Sequence, residues 1–244
     1  MHNSPYEELK RKKSLFMDGK FPLTAVVFDM DGLLLDSERR SQEVLSLAAS
    51  ELGVSISPEA LLGMVGKNNV EGPRYLQSHI GDGSIVNKLL LRFMEIYSAD
   101  VEMGRIPLKK GVIELLDTLD ELRVPRAIAT STVTDLAKRK LVRLGILSRF
   151  SAVIGGDQVR HGKPAPDIYL KACAALGQEP TTTLACEDSG PGIEAAASAG
   201  LRAVLVPDLI APTELMLSHA WRVVESLHDI IGIIRNEARV SVSP

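Results

Sequence analysis

Thr24-Ala25-Val26-Val27-Phe28-Asp29-Met30-Asp31-Gly32 is the stretch whose reading decides the fold. Its first five residues are apolar and β-branched, the composition of a short buried parallel strand. The run stops at two carboxylates one residue apart. On an extended chain residues i and i+2 face the same side, so Asp29 and Asp31 point together and Met30 points away. Gly32 lets the backbone turn off the strand. Carboxylates held side by side repel, and both stay ionised only with a cation beside them. A hard divalent ion with oxygen ligands, Mg²⁺, suits such a pair. Taken alone, Asp-x-Asp-Gly reads equally well as a strand ending in an acidic turn, so the rest of the chain has to decide.

Downstream, strand and helix patterns alternate. Gly111–Leu122 carries a helical apolar stripe, and Arg126–Thr130 is a short apolar run of strand type. Thr134–Leu144 reads as a helix stopped by Gly145, Ala152–Ile154 as a strand, and Asp167–Leu176 as a helix stopped by Gly177. Thr183–Cys186, the small-residue helix Gly192–Ala199, Ala203–Val206, Arg222–Val224 and a last helix Leu227–Arg235 complete the series. Such alternation with short loops predicts an α/β fold, a doubly wound, Rossmann-like parallel sheet.

One region departs from it. Between Arg39 and Gly104 only helix patterns occur, at Glu43–Leu52, from Pro58, at Val70–His79 and at Val86–Val101. That is too long for a single crossover. The expected organisation is an N-terminal extension over 1–21, a Rossmann-like core over 22–38 and 105–244, and an inserted helical cap over 39–104.

Bulk properties narrow the function. A net charge of −3, a pI near 6.0 and 4% aromatic residues offer neither the electrostatic footprint nor the stacking surface of a nucleic-acid binder. Cys173 and Cys186 lack metal-ligand spacing and make no disulfide scaffold, which suits a reducing cytosol, so a cytoplasmic location is expected. No apolar run approaches the roughly 18 residues that span a bilayer, so no membrane association is expected. The basic knot Lys10–Lys13 has no apolar segment after it and reads as a solvated extension. A monomer is expected.

The polar residues fall where an open parallel sheet binds ligands, beyond the carboxyl ends of its strands. Asp29 and Asp31 end the first strand, Thr130-Ser131-Thr132 the second, and Glu187-Asp188-Ser189 the fourth. Gly155-Gly156-Asp157 leaves the third, with Gly162-Lys163-Pro164 in the same loop. Phosphoryl transfer needs a nucleophile, a cation, hydrogen-bond donors and an acid for the leaving group. A carboxylate can be that nucleophile. Thr130 can donate a hydroxyl hydrogen bond, Lys163 brings positive charge, and Asp188 with Glu187 can complete an oxygen shell around a metal.

These segments resemble the four motifs of the haloacid-dehalogenase-like hydrolase superfamily. The likeness runs from about residue 22 to residue 235 and includes Asp29-x-Asp31-Gly-x-x-x-Asp36-Ser37-Glu38, Ala129-Thr130-Ser131-Thr132, Gly162-Lys163-Pro164-Ala165-Pro166-Asp167 and Glu187-Asp188-Ser189. The helical insert resembles the cap of the subgroup that contains β-phosphoglucomutase and sugar-phosphate phosphatases. The resemblance implies Asp29 as nucleophile, Asp31 as general acid and then base, and Thr130, Ser131 and Lys163 around the phosphate. It implies Mg²⁺ held by Asp29, the Asp31 carbonyl and Asp188, with Glu187 close by. Asp31 is lacking in the superfamily's dehalogenases, so its presence favours phosphomonoesters. Mutases carry an arginine in a cap loop; the matching stretch Leu62–Asn69 has none and offers Lys67 and Asn68 instead. The expected activity is therefore hydrolysis of a small phosphorylated metabolite, such as a sugar phosphate, through an aspartyl-phosphate. A β-phosphoglucomutase-type phosphotransferase and a non-catalytic phosphate-ligand-binding protein are the alternatives.

Overall fold

The computed structural model describes residues 21–67 and 71–237. The expected N-terminal extension, apart from Phe21, and the cap candidate Asn68 lie outside the described residues. In chain order the elements are β1 (Ala25–Phe28), α1 (Ser37–Glu51), α2 (Pro58–Leu62), α3 (Glu71–Ile80), α4 (Gly83–Glu102), α5 (Val112–Glu121), β2 (Arg126–Ala129) and α6 (Thr134–Arg143). Then follow β3 (Ala152–Ile154), α7 (Asp167–Leu176), β4 (Thr183–Glu187), α8 (Gly190–Ser198), β5 (Arg202–Leu205), α9 (Glu214–His219), β6 (Arg222–Val223) and α10 (Leu227–Glu237). The described residues form two compact units, one of 21–35 and 108–237, the other within Asp36–Pro107. No helix of the described residues is long and apolar enough to cross a membrane.

The first unit holds a six-stranded sheet of order β3-β2-β1-β4-β5-β6 with every pair parallel. Alternate residues explain how it is covered. Val27, Ala127, Ala129, Ala185 and Ala203 share one face and pack with Ile168, Tyr169, Ala172 and Cys173 of α7 and Ile193, Ala195 and Ala196 of α8. Alanine at four of these positions lets helix backbones lie close to the sheet, so the small-residue helix α8 fits. Val26, Phe28, Ile128, Leu184, Cys186 and Val204, which point the other way, are buried as well. A sheet covered on both faces accounts for strands that are apolar throughout rather than alternating. Phe21 is buried too, tilted against Trp221 with ring centroids 6.0 Å apart.

The order places a switch point between β1 and β4. From β1 the chain continues to β2 on one side, and from β4 to β5 on the other. A crevice opens outside the strand ends at such a point. Asp29 directly follows β1, and Glu187 is the last residue of β4.

The helical unit has its own core, in which Leu45, Ala48 and Ala49 of α1 meet Leu76 of α3 and Val86 and Leu89 of α4. Its stem is held by Asp100, 1% exposed, which accepts from Arg40 at 2.6 and 2.7 Å and pairs with Arg105 at 3.4 Å. Helix α1 starts at Ser37, six residues before the apolar periodicity begins. Its first turns are supported instead by surface ion pairs, Arg39–Asp36 at 2.6 Å and Arg40–Glu43 at 2.7 Å. Helix α9, which follows the β5 loop, has no counterpart in the sequence reading. It is six residues long and is started by the Thr213 side chain capping Met216 N–H.

Candidate active site

The backbone sets the first two carboxylates. Asp29 N–H donates to the Cys186 carbonyl at 3.0 Å, so strand pairing extends one residue past β1. The chain then turns at Gly32, whose φ of +87° is left-handed. A Cβ there would also run into the Asp188 carboxylate, so glycine is required twice over at this position. Asp29 is 7% exposed. Burial pushes its carboxyl up to about 8, opposed by Lys163 and assisted by the charges of Glu187 and Asp31.

Lys163 reaches in from the loop after β3. Its Nζ donates to Asp29 Oδ1 and to Glu187 Oε1, each at 2.5 Å. Burial works against this ammonium, but the two carboxylates hold its pKa above the ordinary lysine value. Glu187 is fully buried and organises the neighbourhood. Oε1 also accepts from the Tyr169 hydroxyl at 2.6 Å. Oε2 accepts from the backbone N–H groups of Asp188 and Ser189 at 3.2 Å and from the Ser189 hydroxyl at 3.0 Å. Ser189 in turn accepts from Gly192 N–H at 3.2 Å as the N-cap of α8. Gly192 is obligatory here, because a Cβ would overlap the Glu187 carboxylate.

The loop after β2 is built in the same way. Thr130 N–H donates to the Ile154 carbonyl at 3.0 Å, and the buried Thr130 hydroxyl accepts from Thr132 N–H at 3.1 Å. Ser131 lies exposed beside it. Asp157 Oδ1 accepts from Thr134 N–H at 2.6 Å and from its hydroxyl at 2.7 Å. An acid from the β3 loop thus caps α6, whose own N-cap residue Val133 has no capping side chain. Asp31 accepts from the Thr132 hydroxyl on Oδ2 and from Lys140 on Oδ1, both at 2.7 Å.

Asp29, Glu187 and Asp188 each place a carboxylate oxygen within 4.8 Å of the others. Three hard oxygen donors this close, one of them a carboxyl whose ionisation is opposed by burial and by neighbouring negative charge, fit a small divalent cation. Mg²⁺ suits this donor set; softer metals would call for nitrogen or sulfur.

Of the core residues named from the sequence, Asp29, Asp31, Thr130, Ser131, Glu187 and Asp188 lie at or just after the ends of β1, β2 and β4, while Lys163 reaches Asp29 and Glu187 from farther along the loop after β3. Lys67 lies exposed in the helical unit, with its Nζ 4.8 Å from the centroid of the Tyr75 ring. Sequence reading placed Asp157 at the rim without its capping role and passed over Tyr169 and Lys140. Tyr169 and Lys140 sit on apolar helix faces, beside Ile168 and Ala172 in α7 and beside Ala137 and Leu141 in α6. A polar head on a buried stripe was the available signal.

Residues 26–206 match a family model for haloacid dehalogenase-like hydrolases. The chain belongs to this family. Among similar haloacid dehalogenase-like proteins is a validoxylamine A 7′-phosphate phosphatase of Streptomyces hygroscopicus subsp. limoneus, 33% identical over 72% of this chain and 81% of its own length. Another is a phosphorylated carbohydrates phosphatase of Thermotoga maritima, 32% identical over 75% of this chain and 84% of its own. The crystal structure of a family hydrolase from Deinococcus radiodurans R1, with bound phosphate and sodium, superposes with a TM-score of 0.74 at 25% identity, covering 91% of this chain and 99% of that one. With its phosphatase relatives, this family member is a phosphoric monoester hydrolase.

Proposed function

We propose that this enzyme is a Mg²⁺-dependent phosphatase of small phosphorylated metabolites, sugar phosphates among them, and that it works through an aspartyl-phosphate on Asp29. The observation that carries the reading is the buried Asp29 carboxylate held on one oxygen by Lys163, beside a second acid, Asp31, that is hydrogen-bonded on both of its oxygens. A nucleophile needs a fixed direction and a free lone pair. Lys163 fixes Asp29 through Oδ1 and leaves Oδ2 to attack phosphorus.

In the first half of the reaction Oδ2 of Asp29 bonds to phosphorus while the ester bond breaks, and Asp31 delivers a proton to the leaving oxygen. In the second half Asp31 takes a proton from water as that water attacks the acyl-phosphate, and inorganic phosphate leaves. Thr130 and Lys163, with the backbone N–H groups of the loop after β2, bind the phosphoryl oxygens. Asp29, Asp188 and the Asp31 carbonyl would hold Mg²⁺, with Glu187 beside them tying Lys163 in place. When bound, the cation neutralises phosphoryl oxygens and brings nucleophile and phosphate together despite their like charge. The names of the two phosphatase relatives, one for phosphorylated carbohydrates and one for validoxylamine A 7′-phosphate, support a small phosphorylated metabolite as substrate.

The test is phosphate release from a panel of hexose, pentose and triose monophosphates, fructose 1-phosphate included, with and without Mg²⁺. Multiple turnovers of phosphate that stop on chelation are expected. Full activity after exhaustive chelation would remove the metal from the account. Conversion of β-glucose 1-phosphate to glucose 6-phosphate much faster than phosphate appears would put the mutase reading in its place.

A pH dependence follows from Asp29. In metal-free protein below about pH 8 its carboxyl holds a proton, which Mg²⁺ must displace. Apparent Mg²⁺ affinity should therefore rise with pH toward about 8 and level off above it. Calorimetric titrations in buffers of different ionisation enthalpy should show proton release at pH 6.5 that fades by pH 9. An affinity independent of pH across that range would contradict the assignment.

A further inference from the structure

Helix α6 buries Ala137, Lys140 and Leu141 on one face. The Lys140 side chain is 4% exposed, as is that of Lys163. Burying an ammonium costs free energy that an apolar residue at the same position would avoid, and even a good ion pair often only offsets that cost. Lys163 is accounted for by Asp29 and Glu187. Lys140 has no role in the steps above, and packing alone would favour leucine or methionine in its place.

Its Nζ donates to Asp31 Oδ1 at 2.7 Å, while the Thr132 hydroxyl donates to Asp31 Oδ2 at 2.7 Å. Both donors come from the segment that follows β2, and each binds a different oxygen. One contact would leave the carboxylate free to swing about it. Two contacts on opposite oxygens fix its plane. Asp31 needs such bracing because its side chain is 21% exposed and it stands on the turn after β1 rather than within a strand. A carboxylate has about four lone-pair sites, so two donors on opposite oxygens do not exhaust what it can accept.

We propose that Lys140 is a positioning residue for this reaction: it holds the Asp31 carboxylate in the orientation from which the proton passes to and from the ester oxygen and water. The proposal rests on Asp31 being the leaving-group acid, and it adds a residue from helix α6 to a site assembled mainly from strand ends and the loops that follow them. Lys140 acts through Asp31 and not on the phosphoryl group, so its loss should fall on kcat and depend on the leaving group.

The experiment compares Lys140→Met, Lys140→Gln and Lys140→Arg with Asp31→Asn on two esters. Fructose 1-phosphate needs a proton on its leaving oxygen; p-nitrophenyl phosphate does not. Lys140→Met is expected to lower kcat on fructose 1-phosphate about 30–100-fold, the size of effect that an ångström of misplacement brings. KM should move less than about 3-fold, and so should the single-turnover rate of p-nitrophenol release; Lys140→Arg, which keeps the donor, should recover most of the loss. Equal losses on both esters, a loss carried by KM, or an arginine variant no better than methionine would overturn the proposal. Unfolding of both the methionine and glutamine variants, read from thermal melts, would make Lys140 a structural residue and overturn it too. Asp31→Asn separates the two levels. If it shows the ester-selective loss and Lys140→Met does not, Lys140 alone is misassigned; if Asp31→Asn shows no selectivity, the acid role itself is wrong.

Discussion

Asp29→Asn is expected to lower kcat by about 10⁴-fold or more while the protein stays folded. The amide carbon skeleton matches the carboxyl, and its oxygen can still accept the Lys163 hydrogen bond seen at 2.5 Å. What is lost is the nucleophile, since an amide forms no stable acyl-phosphate. Stability should change little, because in metal-free protein the Asp29 carboxyl, pushed up to about 8 by burial, is already neutral at pH 7. Steady-state phosphate release together with a thermal melt checks both halves. A variant that keeps its melting temperature and retains kcat within about 10-fold would remove Asp29 from the central role.

Lys163→Met is expected to damage function and fold together. Its ammonium is shared between Asp29 and Glu187, so removing it leaves two buried carboxyl groups without their cation. Breaking a buried pair by deleting one partner typically costs about 3–5 kcal/mol, and loss of the proposed phosphate contact should lower kcat/KM by about 10³-fold. The pH dependence carries a sign. Without Lys163 the Asp29 carboxyl should keep its proton to higher pH than in the wild type, because the opposing charge is gone. A folded state that binds more protons than the unfolded state loses stability as pH rises. In chelator, the gap in melting temperature between wild type and variant should therefore widen from pH 7 to pH 9. A constant gap, or a variant as stable as the wild type, would mean that Lys163 is not the cation these carboxylates depend on.

The sheet was legible because both of its faces are covered, so its central strands announce themselves as apolar runs ending in polar residues, while the edge strand β6 is only two residues long. Val26-Val27-Phe28 before Asp29 and Leu184-Ala185-Cys186 before Glu187 are the clearest cases. The groups that leave strand ends were equally legible, since the doubly wound topology delivers them to one rim whatever the loop details. Contacts across elements were harder to read. Lys140 and Tyr169 reach Asp31 and Glu187 from helices, across 109 and 18 residues of chain respectively. Nothing local marks such pairs except a polar head on an apolar face. Helix starts were misjudged where ion pairs replace apolar periodicity, as at Ser37, and α9 escaped because a helix of six residues is too short to show a period.

The central claim is a covalent phosphoryl group on Asp29. Mixing enzyme, Mg²⁺ and substrate, quenching in acid within milliseconds and reducing with borohydride converts an acyl-phosphate at an aspartate to homoserine. Mass spectrometry of the digest then reads the modified position. The predicted result is homoserine at position 29, present only when substrate was added and absent from Asp29→Asn. Rapid phosphate release with modification at another carboxylate, or at none, would contradict the account.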